Sequence, residues 1–349
     1  MKGGAPYHTY ALSRDQAAMG HDVTVLTVRQ DPELPNIEER EGYTIVRYDP
    51  VASPLGNDLS PGLAQYLYSA DDFDLIHAHS HLYFATSLAA LKRCCGDIPL
   101  AITNHGLYSQ SAPEHVFRWY LRSVGRWTFN QADVVFCYTE TDRKRVRELG
   151  VSSRIEVVPN GIDTERFSPD GPESKMVEAS GPVVLFVGRF TEGKRPWLAI
   201  EAFAEVLEEY PDAGLYLCGD GPLREELEKQ VRELGIGESV TFLGHVPYDE
   251  MPKAYRSGDV LVLPSRAEGV PRTVIEALSV GVPVVSSDLP QVRAAFEDAL
   301  TYFHGDVGNA VIDALDGGVE VELGERFRWE RTMKDTTAAL KLIADSGWG

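Results

Sequence analysis

Short runs of Val, Ile and Leu recur along this chain, each followed by a stretch of helical period. Residues 23–28, 75–78, 100–103, 134–137 and 155–158 form a first series. Residues 183–187, 215–218, 240–243, 260–263 and 284–286 form a second. None of these runs is polar at alternate positions, so each is suited to burial on both faces. That condition is met in parallel sheets covered by helices on two sides. The stretches 197–209, 223–234 and 273–278 read as helices between them. The chain therefore predicts an α/β fold built from doubly wound, Rossmann-like sheets.

The pattern occurs twice, in keeping with a length of 349 residues. It breaks at Pro159-Asn160-Gly161-Ile162-Asp163, ahead of a polar, proline-containing stretch up to Pro182. Residues 1–163 are read as an N-terminal, acceptor-side domain and 164–326 as a C-terminal, nucleotide-sugar-binding domain. Residues 327–349 read as a C-terminal helix that can pack on either domain, the first included. Two such domains are expected to face a cleft lined by the carboxyl ends of their strands, where ligands bind in these sheets. The first domain opens on Gly3-Gly4 and a helix at about 9–19 capped by Gly20, without the strand that normally feeds such a glycine turn.

The 53 Asp and Glu against 33 Lys and Arg give a charge of −20, which excludes a protein that coats nucleic acid. Lys is scarce, at 9 against 24 Arg, and the acids are spread along the chain. Such a surface suits solubility in a high-salt cytoplasm, so a halophilic source is expected, with an ordinary acidic enzyme as the alternative. No run approaches the length of a spanning helix, and the four cysteines include no C-x-x-C pair. A cytoplasmic protein, at most associated with the inner face of the membrane, is expected.

Gly188-Arg189-Phe190-Thr191-Glu192-Gly193-Lys194 leads from a strand into a helix and nearly matches a P-loop. Arg195 stands where that motif needs a Ser or Thr for magnesium, so a nucleoside triphosphatase is disfavoured. A glycine turn entering a helix still favours an anion, and Arg189, Lys194 and Arg195 add charge to it. Gly219-Asp220-Gly221-Pro222-Leu223-Arg224 starts like a dinucleotide fingerprint, but Arg224 takes the third glycine's place. Glu268 and Glu276 lie eight apart, one on a loop and one in a helix. Spacing alone leaves two readings open: a pair that accepts hydrogen bonds from a polyol, or two unrelated surface acids.

Arg189 with Lys194, the Gly219–Pro222 turn, the Phe242-Leu243-Gly244 strand end and the Glu268/Glu276 pair occur in one order. That set resembles the family 4 glycosyltransferases of group 1 type, retaining enzymes of the two-domain GT-B fold. The resemblance runs from Gly3-Gly4 to the Phe327-Arg328-Trp329-Glu330-Arg331 helix start. It implies transfer of a sugar from a nucleoside-diphosphate sugar to a glycan, lipid-linked or small-molecule acceptor, with no metal and no other cofactor. Arg189 and Lys194 would hold the diphosphate, Glu268 the transferred sugar and Glu276 the ribose. Gly3, Gly4, Gly188, Gly219, Gly269, Val270, Arg272 and Thr273 would line the donor, with His245 and Val246 receiving the base. His105 would lie near the reacting sugar, and residues 160–163 would form the hinge. The family's Glu-Gly-Phe-Gly-Leu is here Glu268-Gly269-Val270-Pro271-Arg272, which removes one backbone donor and adds a cation near the phosphates. The rivals are an epimerase of the same fold and a non-catalytic partner subunit.

Three features stand apart. His77, His79 and His81 alternate on or just beyond a strand and so are expected on one face, where a zinc site is one reading and the resemblance implies a cleft-edge role for His77 and His79. Asp72 and Asp74 precede a strand and read as a surface turn. Arg118, Arg122 and Arg126 lie four apart among Phe117, Tyr120, Leu121, Val124 and Trp127. That stretch either packs its apolar face on its own domain or makes peripheral contact with an anionic membrane.

Overall fold

The computed structural model describes residues 4–54, 57–107, 113–317 and 323–346. They divide into two compact units, Met1–Asn160 with Glu330–Gly349, and Gly161–Trp329. Unit 1 runs α1 (Gly4–Ala18), β1 (Thr24–Val28), β2 (Ile37–Arg40), β3 (Tyr43–Tyr48), α2 (Pro61–Ser69), β4 (Ile76–His79) and α3 (Phe84–Cys95). It continues with β5 (Leu100–Thr103), α4 (Glu114–Tyr120), a π-helical segment (Leu121–Gly125), α5 (Arg126–Asn130), β6 (Val134–Cys137), α6 (Glu140–Glu148) and β7 (Arg154–Val157). Unit 2 holds β8 (Val183–Val187), α7 (Pro196–Glu209), β9 (Gly214–Cys218), α8 (Arg224–Glu233), β10 (Val240–Gly244), α9 (Met251–Arg256) and β11 (Val260–Leu263). After it come α10 (Arg272–Ser279), β12 (Val284–Ser287), α11 (Pro290–Phe296), β13 (Thr301–Phe303) and α12 (Val307–Asp316), and the chain closes on α13 (Trp329–Ser346).

Unit 2 is one six-stranded sheet in the order β10-β9-β8-β11-β12-β13, every pairing parallel. Its core joins strand residues Val184, Phe186, Val262 and Val285 to Phe203 and Val206 of α7 and Val311 of α12. In unit 1, β4-β5-β6-β7 form a parallel sheet with helices on both faces. Leu100, Ile102, Val135 and Cys137 meet Ala89, Phe129 and Val146 on one face. Ala101, Val134 and Phe136 meet Ala339, Leu340 and Ile343 of α13 on the other. That is the period-two alternation of strands buried on both sides.

The strands β1-β3-β2 make a separate sheet. Among the described residues, β1 and β4 are each paired along one edge only. The composition of 37–48 does not announce its hairpin. β2 is Ile-Glu-Glu-Arg, too polar to read as a strand, and its turn is Glu41-Gly42, with φ of 47° and 85°. Both signs are positive, as in the two-residue turn that matches strand twist, so Gly42 suits its place and Glu41 is strained. The first helix starts at Gly4, five residues earlier than the periodicity suggests, and ends on Gly20 at φ 90° as expected of a C-terminal cap.

The 117–127 stretch is not one α-helix. A π-helical segment with one extra residue in its turn interrupts it, and Arg118, Arg122 and Arg126 are all exposed. Arg126 lies against the turn at Gly150, where an added Cβ would stand 3.0 Å from its guanidinium carbon.

Candidate functional site

In unit 2 three glycine turns converge at the carboxyl ends of β8, β9 and β10. Gly188 N–H donates to Cys218 O (3.0 Å), Gly219 N–H to Gly244 O (2.8 Å), and Phe190 N–H to Asp220 O (2.9 Å). A Cβ on Gly219 would stand 1.9 Å from Gly188 O, and one on Gly221 2.5 Å from Phe190 O. Both glycines are therefore set by close backbone packing, which accounts for the incomplete dinucleotide fingerprint. Arg224, in the third glycine's place, stacks on Phe242 (4.4 Å) and pairs with Glu228 (2.5 Å).

The β8–α7 turn carries Arg189, which is exposed, and Lys194. Lys194 Nζ lies 2.5 Å from Glu268 Oε1, and Glu268 is only 4% exposed. A second link runs between the same two loops. Arg195, at φ 48°, donates to Pro264 O (2.6 Å), Ser265 O (3.2 Å) and Ser287 Oγ (3.0 Å), while Arg266 N–H donates to Gly193 O (2.8 Å). A left-handed backbone at a non-glycine residue costs about 1 kcal/mol, offset here by three hydrogen bonds. Arg195 thus acts as a lash between loops, a role that its place in the failed P-loop motif gives no sign of. The hydroxyls of Thr191 and Ser265 on these loops, and of Thr273 at the start of α10, are buried without a protein partner, a donor set suited to a hydroxylated or phosphorylated ligand.

Glu276 is buried at the start of α10's second turn. Its carboxylate accepts from Arg272, Tyr248 and Tyr255. Burial pushes its pKa above the ordinary glutamate value, and Arg272 is the largest opposing influence. The Arg272 side chain is turned to Glu276, Tyr248 and the Gly161 carbonyl rather than held out as a solvated cation. Gly269 and Val270 are buried beside Glu268. His245 is exposed and Val246 buried just past Gly244, whose φ of 68° turns the chain there.

Unit 1 carries a separate histidine cluster. His105 Nδ1 is 2.8 Å from Tyr138 Oη, and its Nε2 is 3.2 Å from His79 Nδ1. His77 Nε2 is 2.8 Å from Thr103 Oγ1. His8 of α1 stands edge-on to His105 (5.7 Å) and His79 (5.8 Å), with Nδ1 3.2 Å from Asn160 Oδ1. Burial first, and then mutual repulsion, holds His79 and His105 well below 6.5 and His77 at about 3, so the rings are neutral near pH 7. His8, Tyr138 and Asn160 are the members that periodicity could not find, because they come from three distant segments.

His81 is not on that face. Ser80 takes a φ of 67° just past β4 and swings the next side chain away. The His81 ring lies against Phe129 (4.8 Å) and Tyr120 (6.2 Å), fully buried, with no well-formed hydrogen bond at either ring nitrogen, and burial, opposed by the nearby Asn104 side chain, lowers its pKa to about 3. Among the described residues no group of three His, Cys, Asp or Glu is placed to hold a metal. Asp72 and Asp74 are exposed. Gly4 is the first residue of α1, and Gly3 lies outside the described residues.

A family model described as Glycosyltransferase Family 4 matches residues 2–166, and one described as Glycosyl transferases group 1 matches 172–319. The chain is 30% identical over 285 residues to a GDP-mannose-dependent alpha-(1-6)-phosphatidylinositol monomannoside mannosyltransferase of Mycolicibacterium smegmatis, covering 76% of this chain and 72% of the relative. It is 29% identical over 317 residues to an uncharacterised glycosyltransferase of Methanocaldococcus jannaschii, covering 82% and 77%. In fold it is similar to sucrose-phosphate synthase of Thermosynechococcus elongatus, with TM-score 0.80, 21% identity, and 99% and 94% of the two chains covered. It is also similar to HepE of Anabaena solved with UDP and glucose, with TM-score 0.79, 20% identity, and 97% and 96% covered.

Proposed function

Because this chain belongs to the family 4 glycosyltransferases of group 1 type, with their two-domain GT-B fold, we propose that unit 2 carries the nucleoside-diphosphate sugar it uses. The observation that carries this is the Lys194–Glu268 pair lashed between the β8–α7 and β11–α10 loops. Lys194 and Arg189 neutralise the diphosphate, Glu268 accepts from sugar hydroxyls, and Glu276 accepts from the ribose. Gly188 and Gly219 let backbone approach the phosphates, Thr273 and the Gly269-Val270 backbone line the sugar, and His245-Val246 faces the base. His105, fixed through both ring nitrogens by Tyr138 and His79, is unit 1's candidate for the reacting sugar. Unit 1 holds the acceptor.

The reaction retains configuration. The acceptor oxygen attacks the anomeric carbon on the face the diphosphate leaves, the carbon–oxygen bond to the diphosphate breaks, and a departing phosphate oxygen takes the acceptor's proton. Positioning and charge stabilisation supply most of the barrier reduction, and the cations already present meet the leaving group's charge without a metal. A thermal-shift screen of UDP-, GDP- and ADP-sugars, followed by mass spectrometry of products, tests this. One donor class should raise the melting temperature and give transfer product without added metal. No shift with any of the three, or transfer that stops on chelation, counts against it.

An acceptor at an anionic membrane of the cytoplasm is the second part of the proposal. Trp119 is 70% exposed on α4, beside exposed Val116, Val124 and Trp127 and the cations Arg118 and Arg122. No described helix is long and apolar enough to cross a membrane. Exposed tryptophans among arginines suit the interface of an acidic bilayer. Binding to phosphatidylglycerol vesicles should exceed binding to phosphatidylcholine vesicles by about tenfold, and Trp119→Ser should remove most of that excess. Equal sedimentation with both vesicle types speaks for a surface that serves another purpose.

A further inference from the structure

Arg272 and Glu276 stand one turn apart on α10, 8% and 4% exposed. Glu276 Oε1 accepts from Arg272 Nε at 3.1 Å and from Tyr248 Oη at 3.2 Å, while Oε2 accepts from Tyr255 Oη at 2.8 Å. Arg272 also donates to Tyr248 Oη at 3.0 Å and to Gly161 O at 3.2 Å. A carboxylate has about four acceptor positions, and three are filled by these donors. The position left over is on Oε2. The family pattern places leucine where this chain has Arg272, which would leave a buried carboxylate supported by two phenols alone.

We propose that Arg272 is a positioning residue, holding the Glu276 carboxylate as an anion in a single orientation so that its remaining lone pair receives a hydroxyl of the bound nucleoside diphosphate. This rests on the reading of Glu276 as the ribose acceptor. Arg272 itself touches no substrate in this scheme, because its guanidinium is spent on Glu276, Tyr248 and the Gly161 carbonyl.

The surroundings of Glu276 make the charge of Arg272 matter. Tyr255 comes from α9 and Tyr248 from the β10–α9 connection. Cys218, at the end of β9, lies close enough to Tyr255 to influence it. Arg166 stacks on the Tyr248 ring at 4.6 Å. Burial raises Tyr255 well above its ordinary value and the Cys218 thiol to about 12, so both stay neutral. Burial raises Glu276 above 4.5, and Arg272 leads the groups that lower it. Removing Arg272 therefore raises the pKa further. The ionised form is the one that accepts, so ligand affinity is lost at a higher pH than in the parent chain.

Calorimetric titration with UDP, GDP and ADP between about pH 5 and 8, carried forward with the tightest of the three, tests this. The parent chain should lose affinity on the acid side. In Arg272→Leu and Arg272→Gln the midpoint of that loss should move up by about one pH unit or more, with affinity at the alkaline end kept within a few-fold. Arg272→Lys should return the midpoint most of the way, and Tyr248→Phe should move it in the same direction by less. Glu276→Gln should flatten the profile and weaken binding at every pH. If both Arg272 variants weaken binding equally at all pH values, or leave the midpoint in place, the positioning role is overturned while the donor site stands. Unchanged affinity in Glu276→Gln, or no binding of any of the three nucleotides, overturns the donor reading and this proposal with it.

Discussion

Turnover should fall by about 10²–10³-fold when Lys194 is replaced by alanine, and by a similar factor for Glu268→Ala. In the proposed reading the ammonium of Lys194 meets the negative charge growing on a departing diphosphate. A single preorganised donor at such a position is worth about 3–4 kcal/mol of barrier. The variant also loses stability, because Glu268 is left as a buried carboxylate without its partner, at a cost of about 3–5 kcal/mol. Those two effects separate in the double variant Lys194→Ala with Glu268→Gln. Neutralising both partners removes the stranded charge, so the melting temperature recovers while turnover stays down. A double variant that recovers both would make the pair a structural ion pair and sink the assignment. Single variants within a few-fold of the parent would do the same.

Acidification should destabilise unit 1 well before the carboxylates titrate. His81 is fully buried with a folded pKa near 3, against about 6.5 in an unfolded chain. A group whose folded pKa is depressed below its unfolded value contributes no penalty above the unfolded pKa. Its penalty then grows as pH falls below 6.5, because only the unfolded chain takes up the proton. At pH 5 that amounts to about 2 kcal/mol from His81 alone, or about 4–8 °C in melting temperature. His77, His79 and His105 shift the same way and add to the slope, as a coupled set rather than as independent sites. His81→Leu should remove about one proton from the acid slope and cost little at pH 8, since the ring lies among Phe117, Tyr120 and Phe129 with no well-formed hydrogen bond at either nitrogen. Calorimetry from pH 8 to 5 reads this directly. A melting temperature flat across that range, or an unchanged slope in the variant, contradicts it.

The strands were readable where burial makes composition one-sided. The runs at β6 and β11 are fully apolar and buried in the structure, and β5 and β8 depart from that only at their last residues. β2 and β13 were not readable, because an edge strand of charged residues and a three-residue strand carry no periodic signal. The helix over 117–127 misled for a different reason. A π-helical turn leaves no mark in residue type, so the stretch reads as one plain α-helix where the backbone carries an extra residue. His81 misled similarly, through the left-handed backbone at Ser80.

The sequence alone determined the architecture and the chemical class. Apolar runs without alternation require parallel sheets covered on both faces, and an ordered set of Gly, Arg, Lys and Glu at strand ends carries the likeness to sugar-nucleotide transferases. Both are properties of neighbours along the chain. The tertiary structure decided which side chains answer to one another: Lys194 to Glu268, Arg195 to Pro264 and Ser287, Arg272 to Gly161, His105 to Tyr138 and His8. Those partners lie about 30 to 110 residues apart. Nothing local brings them together, because the energy that does so is the burial of two cores, and hydrogen bonds at a few ångströms only select among the arrangements burial leaves.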